Sequence, residues 1–535
     1  MLFKNYSKLI LFSYYFVVNS KGSNFNQEIP EFPSGISQNF VSISPLSYCK
    51  FNRDNIYLEY PQRINEENGN INEISGVNPK YDISSQSLYM LNPSKYCKCH
   101  QRTVYFQSPD SEINTENVSK INIESEEYFV NAYTNKSGLR IPRCLKNLFV
   151  NNEIQLFNYK DFNITDSTLA LNVYWKELSN NLHLNNINKY QKYNHMLKYK
   201  QLSNKKHFYD NYNVLKKKFP KDYNYMPNTY TSLEEFKKDF KDYKVSKDNL
   251  WLVKPNFSTY GIGIHFLKDV NKVRRGDIVT KYVSNPLLIN NKKFDFRIYV
   301  LVTGHDPLKI YLNEQCFARL ATADYDIDIN NLDNTFKHLT NIHVQRKNKE
   351  SKASYVMTLD EVKKHIKENY NIEFSDIWKG VKDLIIKSFI AVNRVELEAQ
   401  KEFNLASNSL FQLFGLDVIV DQNAKPWLIE INGHPSLSDK ETASLNDQNV
   451  KDILNIAGLV PFSHFTGTAM EGECEYKDSV DEAVQQSICE FTRPTGKFER
   501  IFPTKDNIDY YKQFFEEVTI NNQALWDEIK NNDFE

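Results

Sequence analysis

The sequence has almost no net charge: 66 Lys and Arg against 67 Asp and Glu leave −1. That excludes a global pull toward nucleic acid or an acidic membrane surface, so a charged partner must be met by a local patch. Cysteine is scarce, with seven residues at 49, 97, 99, 144, 316, 474 and 489. An odd, scattered set suits a reducing compartment better than a disulfide framework. "CKCH" at 97–100 has no second pair at zinc-site spacing, which leaves a metal reading of that motif unsupported. No apolar run approaches the roughly 20 residues of a membrane span. The start, "MLFKNYSKLILFSYYFVVNSKGS", carries Lys4 and Lys8 and then about ten apolar residues, as a signal peptide would. It lacks a small-x-small cleavage site, and an ordinary buried segment fits as well.

A chain of 535 residues can hold two to four domains or one composite enzyme. Residues 1–140 are rich in Asn, Ser and Glu from about 20 onward and have little periodicity, as in a poorly ordered extension. A lysine-rich stretch with helical character spans 188–220. Strand-like runs follow: "LWLVKP", "GIGIHFL", "DIVTKYV", "FDFRIYVLVTG" and "KIYLNEQCFARLAT". A helical segment covers 374–392. Strands and helices interleave without a strict βαβ repeat, so the fold class is α+β, or mixed α/β. Residues 461–535 hold 16 acidic and 7 basic side chains, an acidic C-terminal extension. Positive charge gathers at 188–247, either as a solvated face or as a contact for an acidic partner.

The run "LFGLDVIVDQNAKPWLIEIN" is a strand, a polar turn and a second strand, with acids where a plain core strand carries valine. Side chains alternate along a strand, so Glu430 and Asn432 share a face, and pairing across the turn can set Asp417 opposite them. Two carboxylates and an amide oxygen form a hard-oxygen set suited to Mg²⁺. A hairpin whose acids face solvent fits the pattern too.

Upstream, "WLVKPNFSTYGIGI" ends a strand at Lys254 and offers hydroxyls and glycines, among them Gly261, to a phosphate. It is neither a Walker A loop nor a dinucleotide fingerprint. After another apolar strand, Lys281, Tyr282 and Val283 stand where an adenine could take backbone hydrogen bonds. In "KKFDFRIYV", Lys293, Asp295 and Arg297 share a strand face, which is expensive to bury unless the charges are paired or ligand-bound. "CFARLAT" supplies Arg319, and "FKHLTNIHVQRKN" supplies His338, Thr340, Asn341 and Arg346. Arginine suits a bidentate grip on carboxylate or phosphate.

"KFDFRIYVLVTGHDPLKIYL", "HLTN", "LFGLDVIVD…KPWLIEIN" and "NVKDILNIAGLV" occur in one order and spacing that resembles the tubulin tyrosine ligase-like family of amino-acid ligases. The likeness covers about 170–460 and is strongest to its polyglutamylases. It implies an ATP-grasp-like fold over 145–460. N-terminal, central and C-terminal subdomains would cover about 145–247, 248–330 and 331–460, with the nucleotide between the last two.

It also implies roles. Asp417, Glu430 and Asn432 would hold Mg²⁺ against ATP phosphates, and Lys254 and Lys205 would meet phosphate, Lys206 competing for the latter place. Lys281, Tyr282 and Val283 would line the adenine hinge, with Lys293 and Asp295 near the nucleotide. Arg297, Thr340 and Asn341 would reach the γ-phosphate and the reacting carboxyl, and Arg319, Arg346 and Lys451 would hold incoming glutamate. The catalytic set would be Arg297, Glu430 and Asn432. The implied reaction joins free L-glutamate to glutamate side chains of tubulin tails through an acyl phosphate, in the cytoplasm and cytoskeleton, cilium or flagellum included. The implied protein is a monomer with no nucleic-acid partner and no membrane insertion. A glycine or tyrosine ligase of the same family, or a weakened microtubule-binding pseudo-enzyme, is the alternative. Three positions depart from the family pattern: Thr280 for the usual Gln, His434 for a small hydroxyl residue, and Tyr260 for a basic one.

Overall fold

The computed structural model describes residues 88–99, 101–107, 118–120, 131–134, 142–151, 155–158 and 172–175. From 187 onward it describes all but 241–242, 257–260, 350, 352–353, 404, 438–441, 462–473, 533 and 535. The signal-like start and Tyr260 lie outside the described residues.

Strands β1 (Leu88–Leu91), β2 (Thr103–Phe106) and β3 (Val118–Lys120) form a small antiparallel sheet in the order β2-β1-β3. Next come β4 (Asn131–Thr134), β5 (Gln155–Asn158), β6 (Val173–Trp175) and β7 (Lys192–Tyr193), a parallel sheet ordered β5-β4-β6-β7. An antiparallel sheet, β10-β9-β11-β8, follows from β8 (Thr229–Tyr230), β9 (Trp251–Lys254), β10 (His265–Phe266) and β11 (Ile278–Lys281).

Among the described residues the largest sheet has eight strands. They are β12 (Leu288–Ile289), β13 (Lys292–His305), β14 (Leu308–Asn313), β15 (Phe317–Leu320), β16 (Val356–Thr358), β17 (Gln412–Val420), β18 (Pro426–Asn432) and β19 (Phe498–Phe502). Long β13 is its spine: β15 and then β14 pair along one edge, and β17 pairs along the other. The helix Phe374–Gln400 lies against β13, β14, β18 and β19. All of β17 and nearly all of β13 are buried, which explains the continuous apolar runs in place of hydrophobic–polar alternation. The mixed α+β class is therefore observed. "KIYLNEQCFARLAT", expected as one strand-like run, divides into β14 and β15 around a turn at Asn313–Cys316.

Both assumed extensions contribute to the core. Met90, Val104 and Phe106 of β1 and β2 pack in one cluster with Tyr299, Leu301, Val450, Ile453, Leu454 and Phe498. Asn455 clamps β2 with its side-chain amide, accepting from the Phe106 N–H at 2.8 Å and donating to the Phe106 carbonyl at 3.1 Å. At the other end, β19 pairs with β14. Glu490, on the helix Ser479–Phe491, accepts from Lys309 Nζ (2.7 Å), the Tyr311 hydroxyl (2.8 Å) and the Thr303 hydroxyl (2.5 Å). Trp526 on the helix Ile520–Asn531 is fully buried. From residue 88 on, then, the poorly ordered extension is folded where described, and the acidic tail carries sheet and core. Asn- and Lys-rich surfaces around these short elements hide their periodicity.

The cysteines also depart from expectation. Cys97 bonds Cys489 and Cys99 bonds Cys474, while Cys144 and Cys316 are free, buried thiols. Among the described residues no helix is long and apolar enough to cross a membrane.

If β2 belongs to the cooperative core, Phe106→Ala should lower unfolding free energy by about 3–5 kcal/mol through lost burial and a residual cavity. Denaturant titration checks this, and an unchanged midpoint would put 88–107 outside the unit that unfolds together.

Candidate active site

A cavity of about 1040 Å³ opens between the β10-β9-β11-β8 sheet and the large one. Its walls include β9 and β11, the facing strands β13, β17 and β18, and the start of the helix Lys205–Lys218. That helix is capped by Asn204, whose side-chain oxygen accepts from the N–H groups of Lys206 and His207. The cap directs the helix N-terminus, a partial positive charge, toward the cavity.

The hairpin register brings the expected acids together. Asp417 stands opposite Glu430, and Gly415 opposite Asn432, with a bulge between Asp417 and Val418. Residues directly opposite on paired strands share a face, so Asp417, Glu430 and Asn432 lie on one side. The bulge also leaves Ile429 half-exposed at the cavity while Ile431 is buried. Gly415 is required by close approach: a Cβ there would sit 2.9 Å from Pro435 and 3.4 Å from the Arg297 side chain.

Across β13 the charges pair strand to strand. Asp295 is in register with Arg319 on β15, and Arg297 with Asp417 on β17. Arg319 closes its fork on Asp295, with Nε to Oδ1 at 2.8 Å and Nη2 to Oδ2 at 2.5 Å, and reaches Asp417 Oδ2 at 2.8 Å. Arg297 Nε donates to Asp417 Oδ1 at 2.7 Å. Burial alone would raise the Asp417 carboxyl, but the two guanidiniums outweigh it and hold it well below the usual carboxylate range. Arg319, expected to grip incoming glutamate, is thus a buried bridge between two carboxylates at 4% exposure. The strand face of Lys293, Asp295 and Arg297 is in large part an ion-pair network.

Lysines add further cations to the cavity lining. Burial pushes Lys254 down to about 8 despite Glu430, with Lys205 adding to the fall. Burial also pushes Lys293 down to about 7, Asp295 opposing and Lys254 reinforcing. Lys293 Nζ donates to the Tyr282 hydroxyl at 2.9 Å and lies 4.1 Å from its ring centroid. Lys205 Nζ is 3.5 Å from Glu430 Oε2 at the cavity, whereas Lys206 pairs with Asp210 on the surface.

At the hinge, the N–H of Lys281 bonds the Asn228 carbonyl and that of Tyr282 bonds the Leu250 carbonyl. Neither can donate to an adenine, so Val283, just past the end of β11, is the nearest remaining hinge position on the cavity wall. The Lys281 ammonium turns away to the Asp248 carbonyl at 2.9 Å. Thr280 bonds Thr229, hydroxyl to hydroxyl, at 2.8 Å. Gly261, at φ +73°, turns the loop against Asn341 and Val344. Thr340 and Asn341 line the cavity, and Asn341 also caps the short helix Ile342–Gln345. Arg346 is exposed and Lys451 donates to the Gln107 carbonyl at 3.0 Å; neither lines the cavity.

Of two further histidines in the wall, His195 escaped the sequence reading, and His338 was singled out there without a role. His195 is 5% exposed, and its Nδ1 has no hydrogen-bond partner among the described residues. Its ring centroid is 4.6 Å from that of His434, and both pack on Tyr199. Burial and then His434 hold His195 well below its ordinary value. His338 is pushed down to about 4 by burial and by Lys293, with its Nε2 unpartnered among the described residues. The stretch around His195 read as helix; it is a strand end and turn before the helix starts, which hid the direction of the side chain.

Among the described residues no group of three or more His, Cys, Asp or Glu side chains forms a ready metal cage. Mg²⁺ needs none, since it keeps waters and takes one or two carboxylates plus phosphate oxygens. Glu430 and Asn432 are half-buried, and Asn432 Nδ2 is used on the Gly415 carbonyl at 3.3 Å, so its carbonyl end is the one to accept a cation. The donor set fits such an ion in kind, with Asp417 shared between it and the arginines.

Residues 183–469, more than half of the chain, match the tubulin-tyrosine ligase family. Over 286 residues the chain is 33% identical to the tubulin monoglutamylase TTLL4 of Mus musculus, covering 51% of this chain and 24% of that protein. It is 30% identical over 377 residues to the tubulin polyglutamylase ttll6 of Danio rerio, covering 64% and 48%. It is 32% identical over 298 residues to the tubulin polyglutamylase TTLL5 of Homo sapiens, covering 52% and 23%. The chain spans about a quarter to a half of the length of these relatives.

Two outcomes are expected from this geometry. Arg319→Leu should cost about 3–5 kcal/mol, because it leaves two buried carboxylates short of their partner; a chemical melt equal to that of the unaltered chain would refute the bridge. Separately, a polyphosphate anion should favour the charged forms of Lys254 and Lys293, whose values of about 8 and 7 are depressed in the free chain. Nucleotide binding should therefore take up protons near pH 7–8, and affinity should fall as pH rises through that window. Calorimetry in buffers of different ionisation enthalpy reads the uptake, and proton release would contradict it.

Proposed function

Since this chain belongs to the tubulin-tyrosine ligase family, we propose that it is an ATP- and Mg²⁺-dependent ligase that joins glutamate to glutamate side chains in the acidic tails of tubulin. The observation that carries the reading is one cavity lined by Glu430, Asn432 and Asp417 together with Lys205, Lys254 and Lys293. A carboxylate is a poor electrophile, so ATP is spent as co-substrate. The acceptor γ-carboxylate takes the γ-phosphoryl group to give an acyl phosphate and ADP. The amine of the incoming glutamate then attacks, expelling phosphate and leaving an isopeptide bond.

Such chemistry asks for alignment and charge neutralisation, not a protein nucleophile. Mg²⁺, when bound, neutralises phosphate charge; Glu430, Asn432 and Asp417 would hold it. Lys254 would meet phosphate oxygens from the opposite wall and Lys293 from the end of β13 beside it, and Lys205 would link Glu430 to the positive end of its helix. Arg297 would orient the reacting carboxyl while keeping Asp417 ionised. Thr340 and Asn341 would border the γ-phosphate. An acidic tail would be met by the exposed Lys206, Lys217, Lys218 and Lys221, and the substrate would set a cytoskeletal location.

The test uses the full chain with ATP, Mg²⁺, radiolabelled glutamate and tubulin, with glycine and tyrosine as competitors. Label should enter tubulin, excess unlabelled glutamate alone should suppress it, and Glu430→Gln should lower it at least about 100-fold, the scale on which losing a charge-stabilising group acts. Suppression by glycine or tyrosine instead would transfer the reading to a sibling ligase. Nucleotide binding with no label incorporated would reduce the chain to a binding protein.

A further inference from the structure

The "CKC" motif at 97–99 has no role in the ligase reading, and none of its residues lines the cavity. In sequence it has no second cysteine pair at zinc-site spacing, but the fold supplies two thiols from 375 and 392 residues away. Cys489 comes from the last turn of the helix Ser479–Phe491 and Cys474 from the segment before it. The Cα atoms of the two pairs are 4.8 and 5.3 Å apart. Cys97 Sγ lies 2.9 Å from the Cys99 carbonyl, so the motif curls around one point. Cys97, Cys99 and Cys489 form a buried cluster with Cys474 packed on it, and no leucine, valine or aromatic belongs to it. The apolar members of the cluster are all cysteines, which is unlike the way an isolated buried cysteine fills a core.

We propose that in the reduced chain these four cysteines bind one Zn²⁺ as a closed tetrathiolate. With both disulfides formed the four sulfurs bond one another, so reduction is what would free them as ligands. Disulfides do not persist in a reducing compartment. Two equivalents of a dithiol each pass two electrons into one S–S bond, leaving as cyclic disulfides and yielding four thiols. Zn²⁺ then displaces four protons, one per sulfur, and takes four ligands at about 2.3 Å. The ion ties the β1–β2 segment to the helix at 479–491, replacing two covalent staples with one. Cys144 and Cys316 are no part of it; burial drives both thiols up to about 12.

The full chain, expressed with zinc and purified under argon with a reductant and no chelator, should carry about one zinc per chain by elemental analysis. Cobalt substituted for it should show the visible bands of tetrahedral Co²⁺–thiolate. Cys99→Ser and Cys474→Ser should each empty the site, while Cys144→Ser keeps its zinc. Reduced wild-type protein holding less than about 0.1 zinc per chain overturns the proposal, whether its cysteines prove free or disulfide-bonded by mass mapping. So does full retention of zinc in Cys99→Ser. None of these measurements needs ligase activity, so this inference and the ligase reading stand or fall separately.

Discussion

Four charges buried in the middle of a sheet constrain everything around them. Asp295, Arg319, Asp417 and Arg297 occupy three adjacent, largely apolar strands; the first three are buried away from the water that would otherwise solvate them, and Arg297 opens only partly to the cavity. Removing any one leaves an uncompensated charge in a low-dielectric interior, so the register of β15, β13 and β17 cannot slip without unpairing all four. The network is neutral in itself. Its rigidity fixes where Glu430 and Asn432 emerge, because β18 takes its register from β17. Around Glu430 the cavity gathers Lys205, Lys254 and Lys293, a surplus of positive charge that favours an anion.

That surplus comes at a cost which the rest of the fold offsets. Lys254 and Lys293 are held in surroundings that push both toward neutrality. Support for the walls comes from far along the chain: Asn455 binds β2, and Glu490 satisfies Lys309, Tyr311 and Thr303 beneath β13 and β14. The catalytic region and its flanks share one core, which is why neither flank behaves as an appendage.

Much of the wall was legible in the residues alone. An acid inside an apolar strand is too costly to be incidental, so Asp417, Glu430 and the Lys293–Asp295–Arg297 face stood out by chemistry and spacing. Pairing partners were not legible, because Arg319 and Asp417 are 98 residues apart and only the sheet order joins them. Arg346 and Lys451 matched a pattern yet point elsewhere, since motif position does not fix side-chain direction on a helix or its cap. His195 was masked by the helical look of its lysine-rich neighbours. The short strands at 88–106 and the β19 segment gave little periodic signal, and a four-residue strand is below the length at which alternation can be distinguished from chance.

The pairing of β14 with β19 has a consequence for how the protein is made. β14 ends at Asn313, and its partner begins at Phe498. During synthesis the sheet's edge therefore waits through the translation of nearly two hundred residues, tens of seconds at bacterial or slower eukaryotic elongation rates. For that interval β14 offers unsatisfied backbone groups to any passing strand. An edge left open for that long is what nascent-chain chaperones shield, so yield should be limited by ribosome-associated folding assistance more than by the stability of the finished fold.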